Sequence, residues 1–169
     1  MSKWMIFIGI GTNLAGQYET PLQAAKSSIY ALSKQGVRIV KNSSFYTSPP
    51  MGPQNQPFYV NAVIGVQSCL SPIGLLRLCH QIEADFGRKR GKKWHARPLD
   101  LDILDWHGRI IAKAPQLPHI GIRKRAFVLL PLREIAPHWH HPTTGQPIDA
   151  LIRQLPTLAQ FKTQRIVGK

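Results

Sequence analysis

A chain of 169 residues with 43% hydrophobic content is sized for one domain, residues 1–169, with a core that buries roughly 70% of its unfolded surface. No early stretch has the form of a signal peptide, because Met5-Ile6-Phe7-Ile8-Gly9-Ile10 is short and interrupted by Gly11-Thr12-Asn13, and no apolar run approaches the ~20 residues of a membrane span. A cytoplasmic protein is expected, and its formal charge of +14 and pI near 10.4 favour polyanionic partners: nucleic acid, an anionic membrane surface or nucleotides.

In chain order, residues 4–10 read as a buried strand ended by Gly9 and Gly11, where the backbone can approach another group closely. Pro21 suits a first helical turn, and Leu22, Ala25, Ile29 and Leu32 keep helical spacing until Gly36. Residues 37–46 carry Val37, Ile39 and Phe45 on a strand, and the proline-rich run 48–57 is a long loop. A strand over 58–67 puts Tyr59, Asn61, Val63 and Gly65 on one face and Phe58, Val60, Ala62, Ile64 and Val66 on the other. Ser71 caps and Pro72 opens a second helix, whose apolar surface is Leu75, Leu76, Leu78, Ile82 and Phe86 and whose end is Gly87. A basic loop leads into a strand at Asp100, and short helices follow around 124–132 and 148–155. This order predicts an α+β ferredoxin-like sandwich, an antiparallel sheet with helices packed on one face and a C-terminal helical appendage. The two cysteines, Cys69 and Cys79, lack metal-ligand spacing and read as buried, reduced thiols.

The run Arg97-Pro98-Leu99-Asp100-Leu101-Asp102-Ile103-Leu104 carries the strongest chemical signal. On a strand, Leu99, Leu101 and Ile103 point one way and both aspartates the other, roughly 6.5 Å apart at the α-carbons. That spacing lets two acids share a pair of hard cations. Of eight acidic residues in the chain, five (Glu83, Asp85, Asp100, Asp102 and Asp105) fall here, beside Arg88, Lys89, Arg90, Lys92, Lys93 and Arg97. Carboxylates among cations suit a metal-bound polyphosphate, since the metal reverses the repulsion between acid and phosphate. Taken alone, the pair also fits the solvent face of an edge strand, and Tyr59 and Phe127 also fit a core.

Several segments, in this order, resemble the 6-hydroxymethyl-7,8-dihydropterin pyrophosphokinase family: Gly9-Ile10-Gly11-Thr12-Asn13-Leu14, the run 44–57, Phe58-Tyr59-Val60-Asn61-Ala62, Ile82-Glu83, Phe86-Gly87-Arg88, 97–102, Pro118-His119 and Arg125-Ala126-Phe127. The resemblance covers nearly the whole chain. It implies transfer of the β,γ-diphosphate of ATP to the hydroxymethyl group of a reduced pterin, giving AMP and a pterin diphosphate for folate synthesis. It implies that Asp100 and Asp102 hold two magnesium ions, that Arg88, Arg97 and Asp102 are catalytic, and that Glu83, Arg88, Arg90, Arg97, Ile103, His119 and Arg125 bind ATP. Tyr59 and Phe127 resemble the aromatic faces around the pterin, Asn61 the reader of its amide edge, Ser48, Pro49 and Met51 loop contacts, and Trp94 a residue that folds over the site. Whether Asp102 also receives the hydroxyl proton stays open. The implied partners are the two small-molecule substrates; no membrane or nucleic-acid partner is expected, and a monomer is expected although the sequence does not give the oligomeric state.

His95-Ala96 and His80 depart from the family pattern, which often has a small residue followed by proline at the first place and glutamine at the second. The loop 88–97, with Gly87 and Gly91 and no apolar periodicity, is expected to move until both ligands bind. His138, His140 and His141 around Trp139 lack a recognised metal spacing. Two rivals remain at this level. A nucleic-acid module would use the charge and Trp94 for stacking, and a metal-dependent phosphohydrolase would use the aspartates to activate water. Neither needs the proline-rich loop with Tyr59 and Asn61.

Overall fold

The structure is a computed structural model that describes residues 5–53, 55–88 and 96–167. Its elements are β1 (Ile6–Thr12), α1 (Pro21–Lys34), β2 (Arg38–Asn42), β3 (Tyr46–Ser48), β4 (Tyr59–Gln67), α2 (Pro72–Asp85), β5 (Asp100–Trp106), α3 (Ala126–Ile135), α4 (Ile148–Arg153), α5 (Thr157–Lys162) and β6 (Gln164–Arg165). The sheet runs β5-β1-β4-β3-β6, with β2 pairing β4 ahead of β3 along one edge. Every pairing is antiparallel.

Side-chain alternation makes β1 and β4 bury both faces. Ile6, Ile8 and Ile10, with Val60, Ala62, Ile64 and Val66, join Leu99, Leu101 and Ile103 under Ala25 and Leu32 of α1 and Leu75, Cys79 and Ile82 of α2. Phe7, Val63 and Leu104 face the other way, onto Leu129 and Leu132 of α3 and Ile148 and Leu151 of α4. Each fully buried leucine or isoleucine contributes about 1.5–3 kcal/mol by leaving water. Both long helices begin as their sequences require: Thr20 and Ser71 accept the N–H groups of Gln23 and Gly74, and proline occupies the first turn of each.

The α+β antiparallel architecture is as expected, and the C-terminal helices have a definite place within it. They are seated on the sheet's second face, so helices cover both faces rather than one. Further differences have local causes. β1 continues through Gly9 and Gly11 to Thr12, and Trp4 lies outside the described residues. The strand expected over 37–46 divides into β2 and β3, because Ser43 inserts its hydroxyl as acceptor for the Val63 N–H at 3.0 Å. α3 starts only at Ala126, after an extended Arg125. Cys79 is buried on α2, and burial pushes its thiol up to about 12, but Cys69 is exposed in the turn before Ser71, contrary to expectation.

Candidate active site

The site is built where β1 lacks side chains. Gly9 and Gly11 pair with Asp102 and Asp100 of β5 on one side and with Val63 and Asn61 of β4 on the other. A β-carbon on Gly11 would stand 3.7 Å from Asn61 Oδ1 and 3.8 Å from Asp100 Cβ, so Gly11 floors a trough between carboxylate and amide, while the space over Gly9 is taken by the Leu104 side chain, 3.3 Å from where a β-carbon would be. The trough is the base of a cleft of about 320 Å³ whose walls include Ser48, Pro49, Met51, Tyr59, Phe127 and His119. A second cleft follows the outer edge of β5 and is lined by Leu76, His80, Glu83, Ile103, Pro115, Gln116 and Ile120. Arg88, Asp100, Asp102 and His119 belong to both, so the aspartates stand at the junction.

β5 presents its acids by alternation and then breaks it. Ile8 faces Ile103 while Phe7 faces Asp105, a bulge that ends the alternation set by Asp100 and Asp102. Asp105, one of the acids of the local cluster, accepts Trp139 Nε1 at 2.7 Å and the Gly108 N–H at 2.9 Å and lines neither cleft. It is a structural acid.

Cations hold the other carboxylates. Arg88 Nη1 lies 2.6 Å from Asp100 Oδ1 and 2.5 Å from Glu83 Oε1, and Arg97 Nη1 lies 3.2 Å from Asp100 Oδ2. Arg125 Nη1 and His119 Nε2 approach Asp102 Oδ2 at 3.6 and 3.8 Å. Burial pushes the Glu83 acid up to about 7, outweighing the Leu101 N–H that it accepts at 2.7 Å and the charge of Arg88. Its recessed position, and then the neighbouring charge of Asp100, raise Asp102 above the ordinary carboxylate range. Burial and then Arg125 lower His119, against the pull of Asp102. The Gly121 N–H donates to His119 Nδ1 at 3.0 Å, which leaves Nε2 to carry the neutral ring's proton toward Asp102.

On the uncharged side, Asn61 Nδ2 donates to Ser48 Oγ at 3.0 Å, which turns Oδ1 toward the Gly11 floor as an acceptor. The Tyr59 phenol is raised by burial, with Arg97 opposing. Arg125 stands over the Phe127 ring, its Cζ 5.9 Å from the centroid.

Of the residues expected at the site, the cleft with the glycine floor collects Ser48, Pro49, Met51, Tyr59, Asn61, Arg88, Arg97, Asp100, Asp102, His119, Arg125 and Phe127, and the edge cleft adds Glu83 and Ile103. Arg90, Trp94 and His95 lie outside the described residues, as does most of the 88–97 loop. Sequence reasoning missed Pro115, Gln116 and Ile120, which carry no motif. It also missed the work of Asn13. Asn13 Oδ1 accepts the Arg97 N–H at 2.9 Å, and Nδ2 donates to Gln56 Oε1 and the Pro57 carbonyl, each at 3.3 Å. One amide thereby ties three distant loops, a contact that no local pattern encodes.

A hard divalent cation fits the donor set. Magnesium is held through one or two carboxylates with waters and substrate oxygens completing its shell, and Asp100 and Asp102 supply that pair. Among the described residues no group of three or more His, Cys, Asp or Glu side chains could hold a metal by itself. His140 and His141 are engaged locally, the first with the His138 carbonyl and the second with the N–H groups of Thr143 and Thr144.

Two clefts meet at carboxylates ringed by guanidinium groups, an arrangement that can hold a polyanion beside a second, less charged molecule. The family model of 7,8-dihydro-6-hydroxymethylpterin-pyrophosphokinase (HPPK) matches residues 7–137. The chain is 40% identical over 150 residues to the 2-amino-4-hydroxy-6-hydroxymethyldihydropteridine pyrophosphokinase of Haemophilus influenzae, covering 88% of this chain and 91% of that one. It is 39% identical over 132 residues to the protein of the same name from Methylorubrum extorquens, covering 78% and 82%. A crystal structure of Plasmodium falciparum HPPK-DHPS with pteroate shares the fold at a TM-score of 0.69 and 12% identity, over 89% of this chain and 44% of that one. This chain thus spans less than half of that longer protein. It belongs to the HPPK family.

Proposed function

We propose that this chain transfers the diphosphate of ATP to the hydroxymethyl oxygen of 6-hydroxymethyl-7,8-dihydropterin, giving AMP and the pterin diphosphate of folate synthesis, as a cytoplasmic monomer that requires two magnesium ions. The observation that carries this reading is the meeting of the two clefts at Asp100 and Asp102. The cleft with the glycine floor suits the flat heterocycle: Tyr59 and Phe127 offer ring faces, and Asn61 Oδ1 offers an acceptor to a pterin N–H edge. The edge cleft suits the nucleotide, with Ile103 on its wall and His119 at the junction.

The chemistry is mainly positioning and charge. The hydroxyl oxygen forms a bond to the β-phosphorus, the bond from that phosphorus to the α,β-bridging oxygen breaks, and AMP leaves with the electron pair while the hydroxyl proton is released. Arg88, Arg97 and Arg125 converge on the junction and offset charge that moves onto the transferred group and the leaving phosphate. His119 presents Nε2–H to the same place as a neutral donor. Asp100 and Asp102 would hold magnesium, which supplies Lewis-acid neutralisation of phosphate oxygens.

EDTA is expected to stop turnover and excess magnesium to restore it, and Asp100→Ala or Asp102→Ala to lower turnover by about a thousandfold or more. Full turnover in either variant, or in EDTA, would remove the carboxylate pair from the mechanism.

A further inference from the structure

Gly121 opens the turn Ile122–Lys124 with φ −87° and ψ −4°, angles open to any L residue. The backbone does not require glycine there. A β-carbon at 121 would instead stand 2.7 Å from both Cζ and Nε of Arg125 and 3.0 Å from one of its terminal nitrogens. The guanidinium therefore lies across the bare α-carbon of residue 121. From that place it reaches Asp102 Oδ2 at 3.6 Å and stands over the Phe127 ring. Arg125 is itself extended, at φ −121° and ψ 107°, between the turn and α3.

We propose that Gly121 is a positioning residue: its missing side chain is the space that lets Arg125 fold back over the turn and face Asp102 at the junction of the two clefts. The packing follows from the geometry alone, and only its catalytic consequence rests on the reading of Arg125 as a phosphate contact. Alanine at 121 isolates this role, because it keeps the N–H that donates to His119 Nδ1 and accepts the same backbone angles. The three atoms nearest the added methyl group all belong to the Arg125 guanidinium.

The test compares Gly121→Ala, Arg125→Ala and the double variant. In the ligand-free chain, the Arg125 Nε–H resonance, assigned by its loss in Arg125→Ala, shifts in Gly121→Ala as the group leaves the Phe127 ring. With a non-hydrolysable ATP analogue, Gly121→Ala weakens binding about tenfold or more on the parent background, the scale of a charge-assisted contact. On the Arg125→Ala background the same change adds nothing beyond about twofold. An unmoved resonance overturns the inference. Equal weakening on both backgrounds also overturns it, since the glycine would then act through another group. If the resonance shifts while Arg125→Ala binds the analogue as well as the parent does, the functional reading of Arg125 fails and the packing stands.

Discussion

Gly11 shows how an absent side chain can be a functional feature. A methyl group there would meet Asn61, Asp100 and Tyr59 at 3.7 to 3.9 Å, ordinary contact distances, so the fold accepts Gly11→Ala while the trough loses its floor. Pterin affinity should fall roughly ten- to a hundredfold, with the thermal midpoint nearly unchanged; calorimetry and a melting curve measure the two. Retained pterin affinity would move the heterocycle off β1. Glu83 offers a separate test through pH. Its folded acid, at about 7, lies above the unfolded value of 4.5, so the folded state binds the proton more tightly. Its contribution to stability is complete below about pH 4.5 and is lost as pH rises through about 7. The stability of the parent relative to Glu83→Gln, from denaturant unfolding, should therefore decline across that window. A flat or rising difference would show that Arg88 outweighs burial at this carboxylate.

At the scale of elements, the decisive feature is the placement of α3 and α4 against the second face of the sheet. Leu129 of α3 is fully buried there with Phe7 and Val63, so Leu129→Ala should cost about 2–5 kcal/mol in a single cooperative unfolding transition. A loss below about 0.5 kcal/mol, or a separate early transition, would return these helices to the status of an appendage. The sequence shows the strands and the long helices well, since Pro21 and Ser71-Pro72 mark where the helices start and β4 is bounded by turn residues on either side. It does not disclose the second face, because near-continuous apolar runs in β1 and β4 look alike whether one side is covered or both. The β5 bulge is hidden for a related reason: whether Asp105 joins Asp100 and Asp102 is decided by register against β1. Of the candidate site, alternation in the sequence already sets Asp100 and Asp102 on one face of a strand, and Gly11 marks a close approach that the structure fills with Asn61 and Asp100. The tie from Asn13 to Arg97 and Gln56 depends on three loops that only the folded chain brings together.

For the whole molecule, the 22 lysines and arginines outnumber the 8 acids, but at the cleft junction three arginines face the three carboxylates of Glu83, Asp100 and Asp102. Arg88, Arg97 and Arg125 gather around Asp100 and Asp102 at the junction of the clefts, where low-dielectric walls strengthen their field on a polyanion. Those acids fix the cations in place, and in the proposed reaction they would also hold magnesium. One cleft with an uncharged acceptor and ring faces, one along a strand edge, and a charged seam between them suit the proposed reaction, which needs a nucleotide and a flat acceptor together. A hydrolase would need only one of the clefts. The most direct measurement is phosphorus NMR of the purified chain with magnesium and ATP, run with and without 6-hydroxymethyl-7,8-dihydropterin. AMP and a pterin diphosphate should form in equal amounts, and only when the pterin is present. Formation of ADP, or release of AMP without the pterin, would contradict the account.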